Sequence, residues 1–410
     1  MSQARIFIND THDRVFNGHP WIFATQVVKE EGTYLPGDVV QVFDAKHRPL
    51  GQGYINPKSM IRVRLLTTHV EERVNKALIE ARIERAWRYR HRMGYRASCR
   101  VVFSEADQLP GLVVDKFNDI LSIQFLTLGM ERWKEVVIAA LDALIKPAGM
   151  YLRNDVPIRE KEGLLLEKGF IGKPFKTELV IEEEAPFDTL RPGTRLELAN
   201  VPSGGVRVHM DVAVGQKTGH FLDQAFNHTA IQRMAKDARV LDCFTHTGGF
   251  ALHAAKAGAK EVVGLDISEE AVALATRNAE LNALSNCSFR TANVFDFLTE
   301  ASRTGKQWDI IVLDPPAFAK SKGAMENAYR GYKEINLRAL KCIPNGGYLV
   351  TCSCSQHLTP DLFRKMVAEA ARDSGRSLRE VYYGTQPPDH PILWGVPETH
   401  YLKCLILQVW

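Results

Sequence analysis

No stretch of this chain approaches the ~20 consecutive apolar residues of a membrane-spanning helix, so a transmembrane protein is not expected. Cysteine is sparse and unpatterned: seven residues, at 99, 243, 287, 342, 352, 354 and 404, with no CxxC pair and no clustered Cys/His spacing. No zinc site is recognisable and no metal ion is expected; an odd number of thiols, mostly inside apolar runs, points to reduced, buried cysteines. The opening MSQARIFINDTHDR has neither an apolar core nor a small-residue cleavage site. A secretory leader is therefore not expected, and a cytoplasmic location is. Internal repeats and low-complexity tracts are lacking. So are a GxGxxG fingerprint and a complete GxxxxGK[ST], which weakens dinucleotide and phosphate-loop readings.

What is present is an ordinary globular composition, 45% hydrophobic and 24% charged over 410 residues, enough for two or three domains. The net charge of +4 is unremarkable, but residues 51–100 hold twelve Lys/Arg against four Glu, a local charge of +8. The rest of the chain is slightly acidic. A concentrated basic stretch is what binding to a phosphate backbone requires; the plain alternative is a solvated helix face.

Residues 1–70 read as a small β-barrel, with short apolar runs (Trp21–Phe23, Val39–Phe43, Ile61–Leu65) between turn signals such as Pro36-Gly37-Asp38. In the third run Ile61, Val63 and Leu65 alternate with Arg62 and Arg64, which places the arginines on an outer, basic face. Residues 71–93 have helical spacing at Val74, Leu78 and Ala81, with arginines crowding the polar side. That helix and the strands and helix that follow make a central α+β segment over 71–205, ending in a loop-like stretch from Glu182 to Gly205. The last domain is expected over 206–410; from 239 strands alternate with helices, and Ile310-Ile311-Val312-Leu313 is continuously apolar, as in a strand buried on both faces. The expected fold of this last part is a doubly wound α/β sheet.

The first βα turn, Asp242-Cys243-Phe244-Thr245-His246-Thr247-Gly248-Gly249, lets backbone approach a ligand before a helix amino terminus. Asp266, 24 residues on, ends the next strand and suits a ribose diol. Asp296 follows a third strand and Asp314-Pro315-Pro316 a fourth. This order resembles class I S-adenosylmethionine-dependent methyltransferases. The resemblance implies that Asp242, Thr247 and Gly248 cradle the methionine part and that Asp266 binds the ribose. It also implies that Ile267 and Phe295 flank the adenine and that Asp296 takes its amino group. Upstream, Gly215–Gln224 looks like an additional cofactor motif of one subgroup, which adds Lys217, Thr218, Phe221 and Asp223 to the cofactor set. The motifs GHPWIF, SEADQLPGLVVDKF, YLRNDVPIREKEG, GQKTGHFLD, DPPAFAKSK, TCSCS and PETHYLK extend the likeness over nearly the whole chain. Together they resemble the bacterial ribosomal RNA large subunit methyltransferase I family. That resemblance implies an amino-terminal PUA domain, a central α+β domain and a Rossmann-like catalytic domain, and 5-methylcytosine in 23S rRNA as product. One departure is visible: where the family continues LDQR.NR, this chain has Leu222-Asp223-Gln224-Ala225-Phe226-Asn227-His228.

Forty residues after Asp314 comes Cys354, with a helix and a strand between them, so both belong at the carboxyl edge of the sheet. Cytosine carbon 5 is a poor nucleophile; a thiolate added at carbon 6 makes an enamine that can take a methyl group. Asp314, counted also among the cofactor residues, is the candidate to hold a proton at ring nitrogen 3. Cys354 is favoured over Cys352 as nucleophile because it stands farther along the strand, and the resemblance implies the same position. Ala317 occupies the place where many RNA cytosine methyltransferases carry a second cysteine, so no releasing base is identified. Phe318 either stacks on an extruded base or packs in the core, and Asp389-His390 is either a proton acceptor or a turn. Arg62, Arg64, Arg82, Arg85, Arg88, Arg92 and Lys320 are the RNA-contact candidates; 23S rRNA or a large-subunit assembly particle is the expected partner, with a homodimer left open. Two rival readings stand beside this one: methylation of another nucleophile such as guanine N-7, which needs no thiol, and an inactive RNA-binding assembly factor.

Overall fold

The computed structural model describes residues 3–9, 13–69, 71–183, 205–318, 323 and 325–410. They fall into two compact units: residues 1–179, 210–222 and 388–399 make the first, and 180–209, 223–387 and 400–410 the second.

In the first unit the strands β1 (Arg5–Ile8), β2 (Trp21–Phe23), β3 (Val27–Glu31), β4 (Val39–Phe43), β5 (Pro49–Ile55) and β6 (Ile61–Thr67) form one sheet in the order β2-β6-β5-β4-β1-β3. Alternation puts Ile6 and Ile8, Val40 and Val42, and Val63 and Leu65 into a common core with Ile22 and Ile55. A second sheet, in the order β11-β10-β9-β8-β7, is built from β7 (Ser98–Phe103), β8 (Leu112–Phe117), β9 (Ile120–Phe125), β10 (Gly149–Asn154) and β11 (Glu167–Ile171).

Arginine burial departs from the sequence reading. Arg64 is 5% exposed and its guanidinium meets Glu162 at 2.9 Å, so the outer face of β6 is covered rather than solvated. The basic helix runs Lys76–Arg92, capped by the Asn75 side chain accepting from the Leu78 amide, and it buries Ile79, Arg82, Ile83, Ala86 and Arg90 rather than the Val74/Leu78/Ala81 stripe. Arg82 donates to the Gln108 carbonyl at 2.7 Å and reaches Glu72 at 3.3 Å. Arg90 holds Asp107 and the Asp389 carbonyl. Paired arginines can occupy a buried helix face, whereas a stripe drawn from apolar residues alone leaves them outside. Asp389 and His390 are each 1% exposed and hydrogen-bonded to one another at 3.0 Å, and Asp389 also accepts from the Arg100 amide. They serve the interior of the first unit.

Two strands, β12 (Glu178–Glu182) and β13 (Arg207–Asp211), pair as a small separate sheet. The second unit centres on seven strands: β14 (Arg239–Cys243), β15 (Glu261–Asp266), β16 (Cys287–Thr291), β17 (Ile310–Leu313), β18 (Tyr348–Ser353), β19 (Leu378–Gly384) and β20 (Lys403–Val409). Their order is β16-β15-β14-β17-β18-β20-β19; the first five are parallel, and β20 enters antiparallel to β18. Every residue of β17 is buried, as its unbroken apolar run predicts. Alternate residues feed two cores. Leu241, Val263, Ile311 and Leu349 meet the helices Val294–Thr304, Met325–Lys341 and Pro360–Asp373 on one face, and Val240, Val262, Ile310 and Val350 meet the helix Gly249–Lys256 on the other.

Candidate active site

Strand order reverses at β14, whose neighbours β15 and β17 run on to Asp266 and Asp314, so the crevice expected of a doubly wound sheet opens at the carboxyl ends of these strands. The turn after β14 is built under strain. Phe244 and His246 have φ of 63° and 48°, and Gly248, at φ 95°, caps the helix Gly249–Lys256. Only glycine adopts that last conformation without cost. Asp242 holds the turn together through one oxygen, Oδ2, which accepts from Thr245 Oγ1 at 2.6 Å and from the Ala251 amide at 3.0 Å. Its other oxygen, Oδ1, is buried and has no hydrogen-bond partner among the described residues. Burial outweighs the two hydrogen bonds and pushes the Asp242 carboxyl up to about 7. A partnerless carboxylate oxygen near the end of β14 suits an ammonium group such as that of a methionine moiety.

Around it, Thr247 is buried and its carbonyl accepts from Asn278 at 3.0 Å. Asp266 accepts the His246 amide at 2.9 Å and the Ser268 amide at 3.0 Å, one on each oxygen, which leaves a lone pair on each for a diol. Ile267 is 75% exposed, an apolar side chain held at the strand end where an adenine face would lie. Asp296 sits exposed in the first turn of the helix Val294–Thr304, and Phe295 is half-buried beside it. Asp223 is buried and accepts from the Tyr401 hydroxyl at 2.6 Å. The other three cofactor candidates belong to the first unit: Lys217 is exposed with its ammonium 4.3 Å from the Phe221 ring centre, and the buried Thr218 donates its hydroxyl to Asp115.

β17 and β18 pair with Leu313 opposite Thr351, so Asp314 and Cys354 emerge from neighbouring parallel strands at one edge. β18 ends at Ser353, making Cys354 the first residue beyond the sheet. Asp314 is half-buried and accepts from Gln224 Nε2 at 2.9 Å. The two thiols of the TCSCS run differ sharply. Cys352 is fully buried opposite Cys404, and burial raises its pKa well above that of an ordinary thiol, whereas Cys354 is only half-buried. A buried thiol in apolar surroundings is inert. Phe318 packs at 4.6 Å on Tyr332 and at 6.2 Å on Phe295, in the core role of its two readings. Lys320 lies outside the described residues.

Two groups at this end of the second unit went unread in the sequence. Lys403, inside the PETHYLK motif, is buried with its ammonium donating to the Ser355 carbonyl. Beneath the cofactor turn, Glu183 Oε2 binds His228 Nδ1 at 2.9 Å and His253 Nε2 at 3.0 Å, all three side chains being buried. The ligating atoms of this trio lie within 4.8 Å of one another, a donor set a divalent ion could use, and the hydrogen bonds satisfy it as it stands. His228 also fixes Gly249, where an added Cβ would fall 2.3 Å from the imidazole Cε1. The three are 45 and 25 residues apart in sequence, a spacing that carries no metal or catalytic signature.

Residues 186–407 match the S-adenosylmethionine-dependent methyltransferase family and residues 9–68 the PUA-like domain family. Among curated proteins, the chain is 37% identical over the full length of both chains to ribosomal RNA large subunit methyltransferase I of Tolumonas auensis. It is 39% identical to the protein of the same name from Aeromonas salmonicida over 95% of each chain, and 34% identical to that of Escherichia coli over the full length of both. Among solved structures, a candidate methyltransferase complexed with SAH superposes with a TM-score of 0.80 at 18% identity, covering 98% of this chain and 99% of that one. Its fold is thus shared from end to end. The turn geometry, the orphaned Asp242 oxygen and the ribose-ready Asp266 fit S-adenosylmethionine as cofactor. With an amino-terminal PUA-like domain, a central α+β domain and a Rossmann-like catalytic domain, the chain belongs to the ribosomal RNA large subunit methyltransferase I family of S-adenosylmethionine-dependent methyltransferases.

Proposed function

We propose that this enzyme methylates carbon 5 of a cytosine in 23S rRNA, in the cytoplasm, through a covalent bond between Cys354 and cytosine carbon 6. The observation that carries the reading is the pairing of a half-buried thiol just past β18 with the Asp314 carboxyl just past β17. An enzyme acting on guanine N-7 would have no use for a thiol there. S-adenosylmethionine, when bound, supplies the methyl group.

The chain's residues divide the remaining work. Asp242, Thr247 and Gly248 hold the methionine end, Asp266 and Ile267 the nucleoside, with Asp296 at the adenine edge. Asp223 completes the second unit's share of the proposed cofactor set. Cys354 adds to carbon 6, its sulfur forming the new bond with the thiolate electron pair. Asp314 holds a proton at nitrogen 3, where negative charge develops, and Gln224 orients the carboxyl through Oδ2. After transfer a base takes the carbon-5 proton and the thiolate departs.

The RNA is positioned by phosphate contacts from Arg85, Arg88 and Arg92, all exposed on the helix Lys76–Arg92, with Arg62 at its half-buried place on β6 and Lys320 as a further contact. Arg64 and Arg82 drop out of this set because they are buried and ion-paired.

Replacing Cys354 by Ser tests the mechanism. The expected result is loss of methyl transfer to 23S rRNA and of any covalent complex with 5-fluorocytidine-substituted RNA, with S-adenosylmethionine affinity unchanged. Undiminished methylation by the serine variant would leave a methyltransferase that works without a thiol, the guanine N-7 type among them. Absence of S-adenosylmethionine binding by the intact protein would instead revive the assembly-factor reading.

A further inference from the structure

A thiol acts as nucleophile only as thiolate, and an ordinary cysteine is a few per cent thiolate at neutral pH. The surroundings of Cys354 address that shortfall. Lys403, 1% exposed, lies at the start of β20 in register with Ser353. Its ammonium donates to the Ser355 carbonyl at 2.6 Å and to the Tyr401 carbonyl at 2.9 Å. Burial pulls its pKa down to about 8, and Cys354 is the titratable neighbour whose charge acts against that fall. On the opposite side Ser353 Oγ accepts the Ser355 amide at 3.3 Å and donates to the Tyr332 hydroxyl at 3.2 Å. Cys354 therefore sits between two buried serines, one tied to the helix Met325–Lys341 and the other to β20.

We propose that Lys403 is the positioning residue of Cys354: its ammonium holds the carbonyl of Ser355, the residue after the cysteine, and supplies the positive charge that favours thiolate over thiol. The proposal rests on the reading of Cys354 as nucleophile. The thiol proton passes to solvent, the S–H electron pair stays on sulfur, and no other reactant is consumed. Three further titratable groups among the described residues bear on the pair. Tyr332, pushed up to about 12 chiefly by burial, stays neutral and senses both Cys354 and Asp314. Asp314, at the neighbouring strand end, would oppose the thiolate only when charged, and in the proposed mechanism it carries a proton. His400, held below its ordinary value by burial and by Lys403, stays neutral. Above about pH 8 the ammonium, and with it the support for the thiolate, is lost.

Iodoacetamide alkylation of the full-length protein over pH 6 to 10 tests this, with fragment-ion mass spectrometry separating Cys354 from Cys352. The buried Cys352 serves as an unreactive internal control. A thiol pKa lowered by about one unit raises the thiolate about eightfold at pH 7, and its weaker nucleophilicity takes back about threefold. Wild-type Cys354 should therefore react about threefold faster at pH 7 than Cys354 in Lys403→Gln, and its rate should rise at lower pH. Lys403→Arg, which keeps the charge, should restore most of the difference. An unchanged Cys354 pH profile in Lys403→Gln would overturn the proposal. Should that variant fail to fold, the wild-type profile decides: an inflection below about 8.5 supports the pairing and one at or above it overturns it. Alkylation is read without methyl transfer, so active Cys354→Ser would defeat the nucleophile reading while this measurement still reported whether Lys403 ionises the thiol.

Discussion

Asp242 should make the cofactor-free enzyme less stable than it need be, in a way that depends on pH. Its carboxyl lies near 7 in the folded protein, against about 3.9 in an unfolded chain. The folded state therefore holds this proton more tightly than the unfolded state. Its contribution to stability is greatest below pH 4 and is lost as pH rises to 7, an upper limit of about 4 kcal/mol for three pKa units. The physical source is the buried, partnerless Oδ1. Replacement by Asn keeps an oxygen where Thr245 and Ala251 donate and removes the charge, but leaves an amide N–H buried without an acceptor, at about 1–3 kcal/mol.

The net expectation for Asp242→Asn without cofactor is a gain of about 1–3 kcal/mol at pH 8 and no gain, or a loss, at pH 5. S-adenosylmethionine affinity should move the other way. Losing a charge-assisted hydrogen bond to an ammonium costs about 1.5–3 kcal/mol, or roughly 10- to 150-fold in Kd. Urea denaturation at the two pH values and calorimetric titration with S-adenosylmethionine measure both sides. Equal destabilisation at pH 5 and pH 8 would refute the reasoning, because Asp242 would then be a structural carboxylate stable in its charged form. Unchanged cofactor affinity would refute it independently.

The arginines of the basic stretch should separate into two classes. Arg64→Ala strands the buried Glu162, which keeps hydrogen bonds from Ser59 and Asn56, and should cost about 3 kcal/mol, visible as a lowered Tm. The triple change of Arg85, Arg88 and Arg92 to Glu should leave Tm nearly unchanged but weaken RNA binding, and should flatten the slope of log K against log salt by up to about 3. Equal effects of the two sets on Tm would show that the exposed arginines are structural too. His253 is held neutral by burial, so acid stability should suffer: below about pH 6.5 the unfolded chain takes a proton there that the folded state refuses. The stability of wild type relative to His253→Gln should fall by up to about 1.4 kcal/mol per pH unit between pH 6.5 and 5, and a flat difference would contradict this. His228, raised by Glu183, contributes with the opposite sign, its stabilisation being lost as pH rises through its folded value.

Period and punctuation made the sheet legible. The apolar run Ile310–Leu313, the acids closing β15 and β17, and the Ser268-capped helix Glu269–Leu281 all signal themselves within a window of a dozen residues. The reading failed where a polar side chain is buried because a partner distant in sequence satisfies it. Arg64 finds Glu162 at a separation of 98 residues, and Arg90 finds the Asp389 carbonyl at 299. Within any local window such arginines look like solvated charge. The same blindness hid the buried charged groups packed near the candidate site. Lys403 is joined to the Ser355 carbonyl across 48 residues, and His228 and His253 to Glu183 across 45 and 70. Local sequence thus displays the acids and the thiol proposed to meet the ligands, since they sit at strand ends where the fold must put them. The charges proposed to set their ionisation are chosen by packing, and packing joins residues that sequence keeps apart. The pH dependence of such an enzyme is accordingly a property of its tertiary contacts, and substitutions at positions like 228 and 403 are where relatives with the same motifs should differ in it.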